Sequence, residues 1–244
     1  MAGRSAFVTG GTGFLGLNLI EQLVAQDWRV TALHRPSSDI RLLSRFPVRR
    51  IEGDILDPES LRRAMPPGLD AVFHVAADIS MWSGHDARQT RINVDGTCNV
   101  VEAAIEAGAR RLVHTSTWNT YGLWQRAIRE ELPQRGGESR ANYDRTKLLA
   151  EEEVREGIAR GLDAVIVNPS HIMGRYDRRG WAQLIIAAHE RWMPGVPPGA
   201  GTFCHAEAVA GAHIAAAERG RRGANYLMSG ADATFVELFA AINE

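Results

Sequence analysis

Thr9-Gly10-Gly11-Thr12-Gly13-Phe14-Leu15-Gly16 joins an apolar run, Ala6-Phe7-Val8, to an amphipathic one that reaches Gln26. A strand therefore feeds a glycine-rich loop that opens a helix. The glycines at 10, 13 and 16 keep a Gly-x-x-Gly-x-x-Gly spacing. The first can make the tight turn, the second lets backbone approach a pyrophosphate, and the third lets the helix pack close to the strand. The free N–H groups and positive dipole end of the helix then favour phosphate. A glycine triplet alone is only a turn. In strand–loop–helix context near the N-terminus it predicts a dinucleotide site, with Gly10, Gly11, Thr12, Gly13, Phe14, Leu15 and Gly16 as contacts.

Working outward, short apolar runs alternate with amphipathic stretches, the pattern of parallel βαβ units. Strands are predicted at 5–9, 29–33, 48–51, 71–75, 111–115 and 164–167. Helices are predicted at 14–26, 40–45, 58–65, 87–107 and 143–160. Continuously apolar strands such as Ala71-Val72-Phe73-His74-Val75 suit a sheet covered on both faces. After Pro169, Gly, Pro and Trp crowd the chain. The expected fold is an α/β, Rossmann-type doubly wound parallel sheet over residues 1–168, with 203–223 packing back on it. Residues 169–202 and 224–244 are expected to make a small, truncated substrate lobe, and the sequence predicts a helix at 205–219, a strand at 225–228 and a last helix at 234–242.

The chain has 244 residues, 45% of them hydrophobic, and a net charge of −1. That composition supports a full core and gives no bulk charge with which to hold nucleic acid or an anionic membrane. No apolar run approaches membrane-spanning length, and no signal-like segment precedes the first strand. Cys98 and Cys204 form no disulfide framework and no metal spacing, and both read as small buried hydrophobes. A cytoplasmic protein is expected, with a homodimer as the assembly allowed for.

The end of the second strand should meet the adenosine ribose. An NAD site expects a carboxylate there, whereas an arginine accommodates a 2′-phosphate. This chain has His34-Arg35-Pro36-Ser37-Ser38. Arg35 and Ser37 are therefore assigned to a phosphate, with NADP(H) preferred and NAD(H) as the alternative. Asp54 and Ile55 follow the third strand, where adenine would lie, although Asp54 could equally cap a turn. Ala76 and Ala77 supply small side chains where the cofactor crosses the strand ends.

All 28 basic residues but one are arginine, and the exception, Lys147, lies four residues after Tyr143. On a helix these two share a face, where an ammonium can lower the pKa of a phenol. Arginine, a broad planar fork, would replace that compact charge poorly.

Gly10-Gly11-Thr12-Gly13-Phe14-Leu15-Gly16, His74-Val75-Ala76-Ala77, Asn93-Val94-Asp95-Gly96-Thr97, His114-Thr115-Ser116-Thr117 and Tyr143-x-x-x-Lys147 occur in that order. Together they resemble the extended short-chain dehydrogenase/reductases, the NAD(P)-dependent epimerase/dehydratase family, over nearly the whole chain. Arg111-Leu112-Val113-His114-Thr115-Ser116 has the flavour of the dihydroflavonol-reductase-like branch. The resemblance implies that Thr117 hydrogen-bonds the substrate oxygen, Tyr143 exchanges a proton with it, and Lys147 depresses the Tyr143 pKa and binds the nicotinamide ribose. It implies that Asn93 holds a water relay behind the lysine; a helix-capping role fits that residue equally. Ser116 and Pro169 fall beside the cofactor.

Two departures matter. Trp118-Asn119 stands where the family's sugar dehydratases carry Asp-Glu, which largely removes that activity. Asn168-Pro169 resembles the pair with which nucleotide-sugar epimerases hold substrate, which keeps an epimerase as the alternative. The family also continues some tens of residues further, so part of the substrate lobe is expected to be missing.

Trp82, Trp118, Trp124, Trp181 and Trp192 are expected near the C-terminal edge of the sheet, where ligands bind, unless they fill the lobe's core. Aromatic walls suit an apolar or planar carbonyl compound. His171 is a candidate substrate contact. His74 and His114 read as hydrogen-bonded core residues, and no histidine has metal spacing. Arginines 175–179 are either an anion site or a solvated loop. The expected activity is interconversion of a carbonyl and a secondary alcohol on a small organic substrate. A non-catalytic NADP(H)-binding regulator is the rival of another class.

Overall fold

The computed structural model describes residues 3–122, 127–190, 195–196 and 198–242. Strand β1 (Ser5–Thr9) runs into the glycine loop, and α1 (Phe14–Ala25) starts on Gly13. Next come β2 (Arg29–His34), β3 (Arg49–Glu52), α2 (Pro58–Ala64) and β4 (Ala71–His74). A helical rod follows, made of α3 (Asp86–Thr90), one wide π turn (Arg91–Asp95) and α4 (Gly96–Glu106). It leads to β5 (Leu112–Thr115), α5 (Asn142–Ala159) and β6 (Ala164–Pro169). The remaining elements are β7 (His171–Met173), α6 (Trp181–His189), β8 (Ala200–His205), α7 (Ala206–Arg219), β9 (Asn225–Met228), β10 (Ala231–Thr234) and α8 (Phe235–Ile242).

The main sheet has the order β3-β2-β1-β4-β5-β6-β9, with every pairing parallel. Helices cover both faces. Leu17, Leu19, Ile20 and Leu23 of α1 join Val209 and Ile214 of α7 on one side. Leu61 of α2, Val100 and Ala104 of α4 and Val154 of α5 join Val72 and Ile166 on the other. Strand order reverses between β1 and β4, which leaves a crevice at their C-terminal ends, the usual ligand site of such sheets.

The expected boundaries differ in three places. The segment 40–45 forms only a short 3-10 turn, Leu43–Arg45; six residues ahead of Pro47 are too few to propagate a helix. The stretch 87–107 is helical but contains the π turn. Strand β9, assigned by sequence to the lobe, is the seventh strand of the main sheet. Its four half-buried residues pair with β6 at the sheet edge. The small sheet is β10-β8-β7, with α6 and α8 against it.

Candidate active site

The glycine loop fits close backbone packing. Gly10 has φ +72°, and a Cβ there would lie 2.7 Å from the backbone nitrogen of Ala76. A Cβ on Gly16 would come within 2.2 Å of the Gly10 carbonyl oxygen, so the helix can sit this close only with glycine. At the start of α1 no side chain caps the helix and the first turn holds no acidic residue. Its leading N–H groups are therefore available to an anion. Thr9 Oγ1 ties the two strand ends, pairing with His74 Nδ1 at 2.8 Å and accepting from the Ala76 N–H at 3.3 Å.

Beyond β2, residues 35–38 turn through a bond from Ser38 N–H to the Arg35 carbonyl, 2.9 Å. Arg35 and Ser37 are exposed. Among the described residues the Arg35 guanidinium has no hydrogen-bond or ion-pair partner. Asp39, the nearest acid after this strand, is held by Arg41 and Arg178, and Arg41 keeps its carboxyl well below the usual range. Asp54 closes a turn, accepting from Leu56 N–H at 2.9 Å, while Ile55 is buried against Gly96. The cap of α2 is Asp57. Ala76 and Ala77 lie just past β4, and Pro169 is buried at the end of β6.

Thr117, six per cent exposed, caps a tight turn at Trp118–Tyr121. Its carbonyl accepts from Asn168 Nδ2 (3.1 Å), and its side chain lies near enough to the Tyr143 phenol to favour the charged form. Lys147, two per cent exposed, donates from Nζ to the Thr115 carbonyl at 2.7 Å. The expected lowering of the Tyr143 pKa is not what the structure gives. Burial pushes the phenol up to about 12, opposed by the Thr117 side chain, while Asp144 adds to the rise. Lys147 is itself pushed down to about 8 by burial, partly offset by Glu151. Tyr143 is therefore a phenol at neutral pH, ready to donate a proton.

Asn93 sits in the π turn and uses both ends of its amide. Oδ1 accepts from Asp78 N–H (2.8 Å), and Nδ2 donates to the Asp78 carbonyl and to Thr146 Oγ1, both 3.0 Å. It caps no helix; it ties the segment after β4 to α5. The Ser116 hydroxyl points into the protein, donating to Glu151. His74 is hydrogen-bonded at both nitrogens, the second to Thr97 Oγ1 at 2.9 Å. His114, its cross-strand neighbour, departs from expectation, because neither buried nitrogen has a hydrogen-bond partner among the described residues. Burial and Lys147 hold its pKa well below normal, so it stays neutral.

Trp118 lines a cleft of about 410 Å³ with Gly201, Thr202, Ala233 and Glu237. Beside it, His171 stacks on Phe203 at 5.3 Å and meets the edges of Trp118 (5.8 Å) and Trp181 (5.2 Å). A smaller cleft of about 70 Å³ contains Tyr143, Ser80, Met81 and Gln89. Met81 in its lining and the neighbouring Trp82 are 74% and 66% exposed. Trp124 and Trp192 lie outside the described residues. Arg175 pairs with Glu21 and Arg178 with Asp39, so these arginines bind the Rossmann half. Cys98 is half-buried rather than buried, and Cys204 donates to the Met228 carbonyl and meets Ser170 Oγ. No group of metal-ligating side chains occurs among the described residues.

A glycine loop under a helix N-terminus, with a hydroxyl–phenol–ammonium set at the same sheet edge, defines a nucleotide-dependent oxidoreductase of the short-chain dehydrogenase/reductase class. Residues 6–228 match the NAD dependent epimerase/dehydratase family, and the chain belongs to that family. It is 35% identical to Sterol demethylase protein B of Methylococcus capsulatus, covering 98% of this chain and 74% of that protein. It is 36% identical to 4-hydroxy-2-methyl-3-oxo-4-farnesyl-3,4-dihydroquinoline-1-oxide ketoreductase of Stigmatella aurantiaca (95% and 69%). It is 35% identical to a putative dihydroflavonol 4-reductase of Synechocystis, spanning 91% of this chain and 66% of that one. The crystal structure of gox2253 superposes with a TM-score of 0.91 at 31% identity, over 98% of this chain and 74% of that one.

Proposed function

We propose that this chain is an NADP(H)-dependent reductase of apolar ketones or aldehydes. The carrying observation is the Thr117 side chain near the Tyr143 phenol, which burial holds protonated, with the aromatic cluster of Trp118, His171 and Trp181 following Thr117. The residues fit the nucleotide: the uncapped start of α1 suits its pyrophosphate and the unpartnered Arg35 a 2′-phosphate. Once bound, the reduced nicotinamide supplies the hydride that the substrate carbonyl carbon receives. Thr117 orients the carbonyl oxygen, and Tyr143 gives that oxygen its proton as the carbon–oxygen double bond becomes single. The phenolate then regains a proton from solvent. Lys147, an ammonium below about pH 8, stabilises that phenolate and can reach the ribose hydroxyls.

The names of two relatives, a sterol demethylase protein and a ketoreductase of a farnesylated quinoline, agree with an apolar substrate. The alternative of a nucleotide-sugar epimerase loses its main support. Asn168 is wholly buried and its amide is spent on Thr117, Thr120, Glu151 and Asn225 rather than turned to a ligand. A panel of apolar ketones, aldehydes and nucleotide sugars, followed by NADPH absorbance and product NMR, tests the proposal. Stoichiometric NADPH oxidation with an apolar carbonyl supports it. Sugar conversion without net change in nucleotide, and no carbonyl reduction, overturns it.

A further inference from the structure

Tyr143, Lys147, Glu151 and Arg155 stand four residues apart along one face of α5. Glu151 is 0% exposed. A carboxylate in that position is costly unless its oxygens are satisfied. Here Oε1 accepts from Ser116 Oγ and from Asn168 Nδ2 at 2.7 Å. Oε2 accepts from Gln134 Nε2 (2.7 Å), an Arg155 guanidinium nitrogen (2.8 Å) and Asn225 Nδ2 (2.9 Å). Four of these five donors are N–H groups that cannot accept in return, so both oxygens must act as acceptors, as a carboxylate does. The donors come from the end of β5, the segment before α5, β6, β9 and the next turn of α5. They fix the helix against the sheet one turn beyond Lys147.

Lys147 makes one hydrogen bond, to a neutral carbonyl, and no ion pair among the described residues. Its other titratable neighbours offer no anion. His74 on β4 and His114 on β5 are buried and neutral, and Tyr143 is protonated. Arg155 carries a like charge, but its side chain is 39% exposed and water screens it. The field of Glu151 crosses a dry interior and is screened far less. We propose that Glu151 is the counter-ion that keeps Lys147 an ammonium inside the site. It touches neither substrate nor nucleotide and acts as a positioning residue. The inference rests on the assignment of Lys147 to the active site made above.

The single lysine makes the test direct. Carbon-13 labelling of lysine Cε gives one side-chain resonance in the whole chain, and its pH titration reports Lys147 with no substrate or cofactor present. The wild-type midpoint should fall near 8. Glu151→Gln keeps the shape and removes the charge, so the midpoint should drop by about one pH unit or more. Glu151→Asp should drop it less. Arg155→Gln, at a partly exposed position, should raise it by a few tenths of a unit. A folded Glu151→Gln protein with the wild-type midpoint overturns the proposal. If that variant does not fold, Glu151→Asp decides: a smaller drop supports the proposal, and an unchanged or higher midpoint overturns it. NADPH binding against pH separates the two levels. A midpoint that moves in a protein that binds no NADPH upholds the counter-ion and refutes the cofactor assignment. Normal binding with an unmoved midpoint does the reverse.

Discussion

Lys147 Nζ donates to the carbonyl of Thr115, while Tyr143, one turn earlier on α5, has the Thr117 side chain beside its phenol. Burial therefore dominates both titrations, and it moves them apart: phenol up to about 12, ammonium down to about 8. At neutral pH the pair holds two transferable protons, which suits reduction of a carbonyl.

Tyr143→Phe removes the donated proton and nothing else near the nucleotide. Turnover of an identified carbonyl substrate should fall by roughly 10²–10⁴-fold, with NADPH affinity within a few-fold of wild type. Steady-state rates and fluorescence titration check this, and a variant with most of its activity refutes the acid role.

The buried lysine also makes a stability prediction. Its folded pKa of about 8 lies below the ordinary 10.5, so the unfolded chain holds the proton more tightly between those values. Stability should therefore rise with pH across that window and be lost again as pH falls through 8. The full difference is worth roughly 3 kcal/mol. Urea melts at pH 8, 9 and 10 should show a rise in wild type that Lys147→Met lacks.

Arg35→Ala should weaken NADPH about ten- to a hundredfold and leave NADH nearly untouched, because only one cofactor offers a phosphate at that position. Calorimetric titration of both cofactors checks it. Equal losses would place the choice of cofactor elsewhere.

Asn93→Ala would leave the Asp78 N–H without its partner and take one of two partners each from the Asp78 carbonyl and the Thr146 hydroxyl. The expected cost is roughly 2–3 kcal/mol, with a fall in kcat as α5 loosens against the segment after β4. Denaturant melts and kinetics on the same preparation measure both.

Much of this was legible from the chain. The glycine spacing and the alternation of apolar and amphipathic runs are local signals, and they predicted the parallel sheet that is observed. The Tyr143/Lys147 pair is also local, four residues on one helix. What escaped depends on where chain segments meet. Nothing in Glu151 distinguishes it from Glu152 or Glu153 until α5 is laid on the sheet, where only the first is enclosed. The direction of the Tyr143 shift failed because spacing announces a nearby cation but not the burial that outweighs it. The four residues of β9 look like a lobe strand until their pairing with β6 is seen.

The wide turn at Arg91–Asp95 has a bearing on how this rod could vary. Gln89, Asn93 and Thr97 are each one per cent exposed and all point at the ends of the sheet strands. In an ideal α-helix, residues eight apart drift about 80° around the axis, enough to turn one of the three towards solvent or the core. The looser turn absorbs that drift and keeps three polar contacts in line. It acts as a vernier between the rod and the strands. A one-residue deletion there, harmless in length, would dephase everything beyond it, whereas the same deletion in an exposed loop would be absorbed.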